Sequence, residues 1–250
     1  MNILFTLCGR AGSKGIKNKN ISQFCGKPLS FYTLSAIDLF TKQDNQNNFD
    51  VVLSTDSEEL INIVNKSKYF PIDIIKRSPE LSGDRTAKID VIVDCLNKME
   101  ERRNKQYDVV IDLDLTSPLR KIADISNLLK TYVESKADIV FSVTTSRRSP
   151  YFNQVTKTDK GYKRVIESQY TSRQQAPVVY DMNASLYAYK PSFIKDGGNF
   201  NNGNCEIIEM EDTGVLDLDN ISDFTYMQII AGYLFNSREE YSDILKNIDG

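Results

Sequence analysis

Short apolar runs alternate with amphipathic stretches over roughly the first 145 positions of this chain. The runs are Ile3–Leu7, Val51–Ser54, Ile72–Ile75, Val109–Leu113 and Ile139–Val143, and three of them are entered through an acid (Asp50, Asp108, Asp138). Apolar residues at successive positions predict strands covered on both faces. The stretches between them predict helices. Leu29–Phe40 follows Pro28, a good first-turn residue. Ser57–Lys68 opens with a capping serine and two glutamates, and Ala87–Arg103 and Ile122–Ser135 complete the set. This order predicts an α/β fold with a doubly wound, mostly parallel, Rossmann-like sheet.

After Ser146 the pattern changes. Residues 147–190 hold two short β-type runs around Asp159-Lys160-Gly161, then a polar Gln/Arg stretch, then Ser185–Tyr189. This predicts an inserted hairpin or arm of the kind that makes a subunit contact. Gly197–Asn204 predicts a flexible loop, and Ile221–Tyr233 and Glu239–Ile248 predict closing helices. With no internal repeat and no low-complexity linker, residues 1–250 are expected to form a single domain carrying the 147–190 arm.

Composition narrows the chemistry. The apolar runs fall far short of the ~20 residues needed to span a bilayer, and MNILFTLCGR reads as a strand and not as a signal peptide. Cys8, Cys25, Cys95 and Cys205 form no CxxC pair, so a reducing, cytoplasmic location is expected. Histidine is absent, which excludes Ser-His-Asp triads, HExxH metal sites and a histidine base. A net charge of −3 argues against non-specific binding to nucleic acid or an anionic membrane. The distribution is uneven: the first 37 residues carry five basic groups and no acid, leaving −8 on the rest. A basic island in an acidic chain predicts a local anion site.

That island is a loop directly after the first predicted strand, Cys8-Gly9-Arg10-Ala11-Gly12-Ser13-Lys14-Gly15. Its glycines let the backbone curl and present N–H groups, and Arg10, Lys14 and Lys19 add cations. The carboxyl end of the first strand of an open α/β sheet is a common phosphate position. The loop matches neither GxxxxGK[ST] nor GxGxxG, and the alternative is a surface turn with solvated lysines.

GRAGSKGIKNKN, with Gly26-Lys27-Pro28-Leu29, resembles the N-terminal signature of the acylneuraminate cytidylyltransferases, the CMP-sialic acid synthetases. Arg10, Gly12, Ser13, Lys14, Gly15, Ile16, Lys19 and Asn20 match it in order, while Gly9, Ala11 and Lys17 depart from it. Further resemblances are Arg77-Ser78-Pro79-Glu80-Leu81, Thr116-Ser117-Pro118-Leu119-Arg120, Arg173 ten residues before Asn183, Asn183–Tyr187, and Asp217-Leu218-Asp219 followed by Asp223-Phe224. They spread over roughly residues 3–224. The resemblance implies a nucleotide-diphospho-sugar transferase type of fold with a small dimerisation arm, and a homodimer.

It also implies an activity: transfer of CMP from CTP to the anomeric hydroxyl of a nonulosonic acid, with Mg²⁺ and release of pyrophosphate. Arg10 and Lys19 would contact the triphosphate, and Gly9, Gly12, Ser13, Lys14, Asn20, Arg77, Thr86 and Lys88 would complete the nucleotide site. Asp217 and Asp219 would hold Mg²⁺; a two-residue spacing on a strand puts both carboxylates on one face, and hard oxygen ligands suit this ion. A solvated acidic turn over Leu216–Asn220 is the alternative. Asp112 and Asp114 form a competing D-x-D.

Asp114, Arg173, Gln174, Asn183 and Tyr187 are the sugar-side candidates, Arg173 because its planar fork suits a carboxylate. Arg173 and Tyr187 could instead serve the subunit arm. Asp114 stands where the family usually has glutamine, and Lys88 where serine is common. With Arg148–Asn153 and Tyr180–Ser185 these departures resemble the branch that uses legionaminic acid derivatives. Other acceptors (an eight-carbon ulosonate, a polyol phosphate) and a non-catalytic nucleotide-binding protein are the rival readings. No general base is evident.

Overall fold

The computed structural model describes residues 1–12, 16, 18–83, 86–214 and 218–250. Strand β1 (Asn2–Cys8) runs into the basic loop. A tight hairpin follows, β2 (Gln23–Phe24) and β3 (Lys27–Pro28), turning on Cys25 and Gly26 with φ of 47° and 81°. Two positive φ values in succession are the backbone a two-residue hairpin needs, which explains a glycine in the Gly26–Leu29 motif. The chain then alternates: α1 (Leu29–Gln43), β4 (Asn48–Thr55), α2 (Glu58–Val64), β5 (Asp73–Lys76), α3 (Lys88–Arg103), β6 (Val109–Leu113), α4 (Ile122–Ser135) and β7 (Ile139–Thr145). The arm carries β8 (Val155–Thr158) and β9 (Gly161–Arg164), and the chain returns through β10 (Tyr180–Tyr189). After α5 (Pro191–Lys195) come β11 (Cys205–Glu209), α6 (Ile221–Ser237) and α7 (Glu239–Asp249).

The main sheet has the order β11-β7-β10-β6-β1-β4-β5. Its described pairings are parallel except those of β10, which lies antiparallel between β6 and β7. Side chains alternate across it as period two requires. Ile3, Phe5 and Leu7 join Val109, Ile111 and Leu113 in a core under α1, α4, α6 and α7. Leu4 and Val110 face the other way, toward Ile92, Cys95, Leu96 and Met99 of α3. Helices thus cover both faces, the doubly wound arrangement expected.

The expected helices are all present, and Ser57 caps α2 by accepting from the Leu60 N–H at 3.2 Å. Two expectations change. The Gly197–Asn204 loop is followed by β11, a parallel edge strand that the sequence pattern did not predict: Cys205-Glu206-Ile207-Ile208-Glu209 is short and half polar because one edge lacks a neighbour. Leu218 and Asp219 lie in irregular chain before α6, so the strand argument for two carboxylates on one face does not apply there. Among the described residues no helix is long and apolar enough to cross a membrane.

Candidate active site

The parallel strands β1, β4 and β6 point their carboxyl ends to one edge of the sheet, where a cavity of about 440 Å³ opens. Arg10, Lys19, Arg77 and Lys88 line it, with Asp114 and Asp219 as the lining acids among the described residues. Four cations against two carboxylates make it a site for an anion. Ile16, Leu81, Val91 and Leu218 add apolar wall.

Each charged group is held by local structure. Lys19 sits on a short 3₁₀ turn, 19–21, and its Nζ donates to the Leu218 carbonyl at 2.8 Å, which ties the basic loop to the chain before α6. Arg77 follows β5 and braces its guanidinium on Ser54, donating to the carbonyl at 2.9 Å and to Oγ at 3.3 Å. Asn20 Nδ2 donates to the Arg10 carbonyl at 3.1 Å, fixing the loop beneath Arg10. Thr86 lines the cavity while its hydroxyl donates to the Glu80 carbonyl at 3.0 Å. Asp219 is placed by the N-terminus of α6. Asn220 accepts from Ser222 and Asp223 N–H groups, and Asp223 Oδ2 accepts in return from Asp219 N and Asn220 N, both at 3.1 Å. This reciprocal cap leaves Asp219 exposed on the cavity rim.

Asp112 and Asp114, two apart at the end of β6, share the α3 face, where Lys88 opens α3. Lys88 Nζ lies 2.7 Å from Asp112 Oδ2 and 3.2 Å from Asp114 Oδ2. Asp112 Oδ1 accepts from Thr6 Oγ1 at 2.8 Å, and Asp114 Oδ1 accepts from Thr116 N and Oγ1 at 2.8 and 2.6 Å. Burial pushes the Asp114 carboxyl up, but Lys88 and the Thr116 hydrogen bonds outweigh it and hold the group at about 2. Burial likewise lowers Lys88, yet the two carboxylates raise it well above the ordinary lysine value. Both groups stay charged at neutral pH: the lysinium has no lone pair to take a proton, and the carboxylate, held at about 2, is a weak base.

Arg120 lies beneath this cluster and is 1% exposed. Its guanidinium donates to the carbonyls of Asp114 and Ser185 at 3.1 and 2.9 Å, to Ser185 Oγ at 3.2 Å and to Thr33 Oγ1 at 3.2 Å. Its acceptors are neutral oxygens, and burial lowers its pKa to about 10, still leaving it protonated at pH 7. Sequence reading gave Arg120 no role. The signal available was an arginine closing an otherwise small and apolar turn.

The other sequence candidates are distributed less evenly. Gly9 gives its N–H to the Ser54 carbonyl at 3.1 Å, and a Cβ there would meet Leu60 at 2.6 Å and Leu115 at 2.9 Å. Gly9, one of the expected nucleotide-site residues, is therefore a close-packing position whose amide is committed within the protein. Gly12 takes φ of 74°, a turn conformation that favours glycine. Ser13, Lys14 and Asp217 lie outside the described residues, so the D-x-D metal pair is represented by Asp219 alone.

On the acceptor side, Tyr187 stands beside Lys88, whose Nζ is 5.9 Å from the ring centroid. It stacks with Phe141 and Tyr189 and meets Phe200 edge-on, an aromatic patch whose Phe200 the sequence did not single out. Arg173 and Gln174 lie instead on an exposed turn of the arm. Arg173 donates to the carbonyls of Ser146 and Arg147 at the arm's base. Asn183 is buried, and its Oδ1 accepts from Ser142 Oγ at 2.6 Å and Ser185 N at 3.3 Å. It stabilises the irregularity where β10 shifts register, near Ala184 with φ of 52°, and is absent from the cavity wall. Of the five, Asp114 lines the cavity of a single chain, Tyr187 stands next to its Lys88, and these three lie away from it.

A doubly wound sheet with a cationic cavity at the carboxyl ends of its central strands defines a nucleotide-binding α/β protein. Residues 7–235 match the cytidylyltransferase family, and the chain belongs to that family of nucleotidyltransferases. It is 34% identical over 228 residues to the post-translational flagellin modification protein B of Campylobacter coli, covering 91% of this chain and 94% of that one. It is 33% identical, with the same coverage, to the CMP-N,N'-diacetyllegionaminic acid synthase of Campylobacter jejuni. Among solved structures, CMP:2-keto-3-deoxy-manno-octonic acid synthetase in complex with CTP superposes with a TM-score of 0.65 over 93% of this chain and 99% of that one. At 13% identity that likeness concerns the fold.

Proposed function

We propose that this chain transfers CMP from CTP to the anomeric hydroxyl of a nine-carbon nonulosonic acid, of the diacetyllegionaminic type, and releases pyrophosphate. The observation that carries the reading is the group Arg10, Lys19 and Arg77 around one cavity with Asp219 on its rim. The bond formed joins the sugar oxygen to the α-phosphorus, and the bond broken is that to the bridging oxygen of the β-phosphate. Both substrates are anions, so the site must offset their repulsion where charge builds up. In this reading Arg10 and Lys19 serve the triphosphate and the departing pyrophosphate, and Arg77 the rest of the nucleotide; their common place in one cavity wall supports it.

Mg²⁺ fits the same rim. Asp219 offers an exposed hard oxygen beside Lys19, and Asp217 would be its second carboxylate. Bound there with substrate phosphates, the ion would neutralise phosphate charge. With Asp114 and Lys88 unsuited to take a proton, a substrate phosphate oxygen or solvent is left to receive that of the sugar hydroxyl. Tyr187, Phe141 and Phe200 offer an apolar wall suited to the acyl groups of such a sugar.

Pyrophosphate release with CTP and Mg²⁺ tests the reading across diacetyllegionaminate, N-acetylneuraminate, pseudaminate and the eight-carbon ulosonate. The highest kcat/KM is expected with diacetyllegionaminate. Preference for the eight-carbon acid would replace the acceptor, and CTP binding without turnover on any acid would favour a nucleotide-binding protein that is not an enzyme.

We also propose that two copies pair through the arm. Large exposed apolar side chains cluster on it (Val155, Tyr162, Val178) and on α6 (Tyr226, Ile229, Tyr233), the latter spaced along one helical stripe. The arm's base is tied to the segment after β11 by the Arg147–Asp212 ion pair at 2.5 Å. Sedimentation should give a dimer that the double substitution Tyr226→Lys/Tyr233→Lys weakens at least about tenfold, as buried charge in an apolar contact would. A monomeric parent chain sinks this proposal. The four free thiols fit the reducing cytoplasm in which we place the enzyme.

A further inference from the structure

Lys88 does an unusual thing for a pocket lysine: it sits where two strand-end carboxylates converge. Asp112 is completely shielded from water, and its Oδ2 has no hydrogen-bond donor in line with it. What compensates that oxygen is the charge of Lys88 Nζ at 2.7 Å. The same nitrogen is 3.2 Å from Asp114 Oδ2. The Lys88 side chain is 37% exposed and that of Asp112 not at all, so the ammonium stands between the inner acid and the cavity. Asp112 near the end of β6 and Asp114 just past it converge on the same Lys88 nitrogen, the spacing at which a D-x-D pair could grip a divalent ion.

We propose that Lys88 is a built-in cation that occupies the place of a divalent metal between Asp112 and Asp114. The pair is thereby closed to metal, and the cavity takes its divalent ion at the Asp219 rim. The surrounding charges agree with this role. Asp112 and Asp114 carry two negative charges; Lys88 and the buried Arg120 beneath them supply two positive ones, so the cluster is neutral without a metal. Taking Lys88 away leaves one uncompensated charge beside a water-filled cavity, a strong attractor for a cation of hard character. The inference does not depend on which sugar, or which nucleotide, the cavity accepts.

The test uses the purified chain and Mn²⁺ alone, with free Mn²⁺ followed by electron paramagnetic resonance and folding checked by circular dichroism. The parent chain and Asp112→Asn should bind Mn²⁺ alike. Lys88→Ala should gain one site at least about tenfold tighter than the parent shows at this pair, and Lys88→Ala/Asp112→Asn should lose it again. Lys88→Gln, which keeps the length and removes the charge, serves if the alanine variant does not fold. The proposal is overturned if the lysine variants gain no Mn²⁺, because the carboxylates then take protons instead. It is equally overturned if Asp112→Asn alone removes Mn²⁺ from the parent chain, because the metal then displaces the lysine.

Discussion

Lys19→Ala should lower kcat for CTP-dependent pyrophosphate release by about 10²–10³-fold, the loss typical of removing one well-placed charge-stabilising donor. Its Nζ bonds the Leu218 carbonyl, so the substitution also removes about 1 kcal/mol of stability, too little to unfold the chain. The two effects separate cleanly. Steady-state kinetics should show the fall mainly in kcat if the lysine acts on charge that develops as pyrophosphate leaves, and mainly in KM if it only anchors the triphosphate. Lys19→Arg should recover part of the rate. Near-parental turnover by the alanine variant would remove Lys19 from the chemistry, and an unfolded product would make it a structural tie between the basic loop and α6.

The second large effect is on stability. Arg120→Met should cost about 3 kcal/mol, because it removes the four hydrogen bonds of a buried charged donor, although the Asp114 and Ser185 carbonyls keep bonds from Thr33 Oγ1 and Asp114 N. For a chain of this size the melting temperature should fall by about 6–12 °C. Arg120→Lys should recover little, since a compact ammonium cannot reach acceptors spread over α1, β10 and the turn after β6. Thermal denaturation measures both. A loss below about 1 kcal/mol for the methionine variant would mean that water replaces the guanidinium.

These two positions illustrate what the sequence could and could not disclose. The place of Lys19 in the cavity wall was legible because it lies in one contiguous basic loop. The strands were legible for a similar reason: near-continuous apolar runs have few other uses, and Val109–Leu113 and Ile122–Ser135 fall at their expected limits. What stayed hidden depends on distance along the chain. Lys88 meets acids 24 and 26 residues away, and Arg120 meets Thr33 and Ser185 across 87 and 65 residues. No local pattern encodes such meetings; they arise from strand order. The surroundings of Asn183 were hidden for a related reason. Its spacing from Arg173 resembles a family motif, while in the fold it is buried on β10 and its Oδ1 accepts from Ser142 Oγ on the neighbouring β7. The strand β11 escaped because edge strands need alternate polar residues that blur their period.

The reversed direction of β10 has a consequence for how such a molecule can change over generations. Because the chain leaves the sheet from β7 and re-enters it beside the same strand, the whole excursion over 147–179 is, to the sheet, one oversized hairpin turn. Residues can be added or lost at its tip without shifting any other strand's register. The slip near Ala184 supplies slack on the returning side. The excursion is thus free to diversify while the nucleotide end of the sheet is kept unaltered.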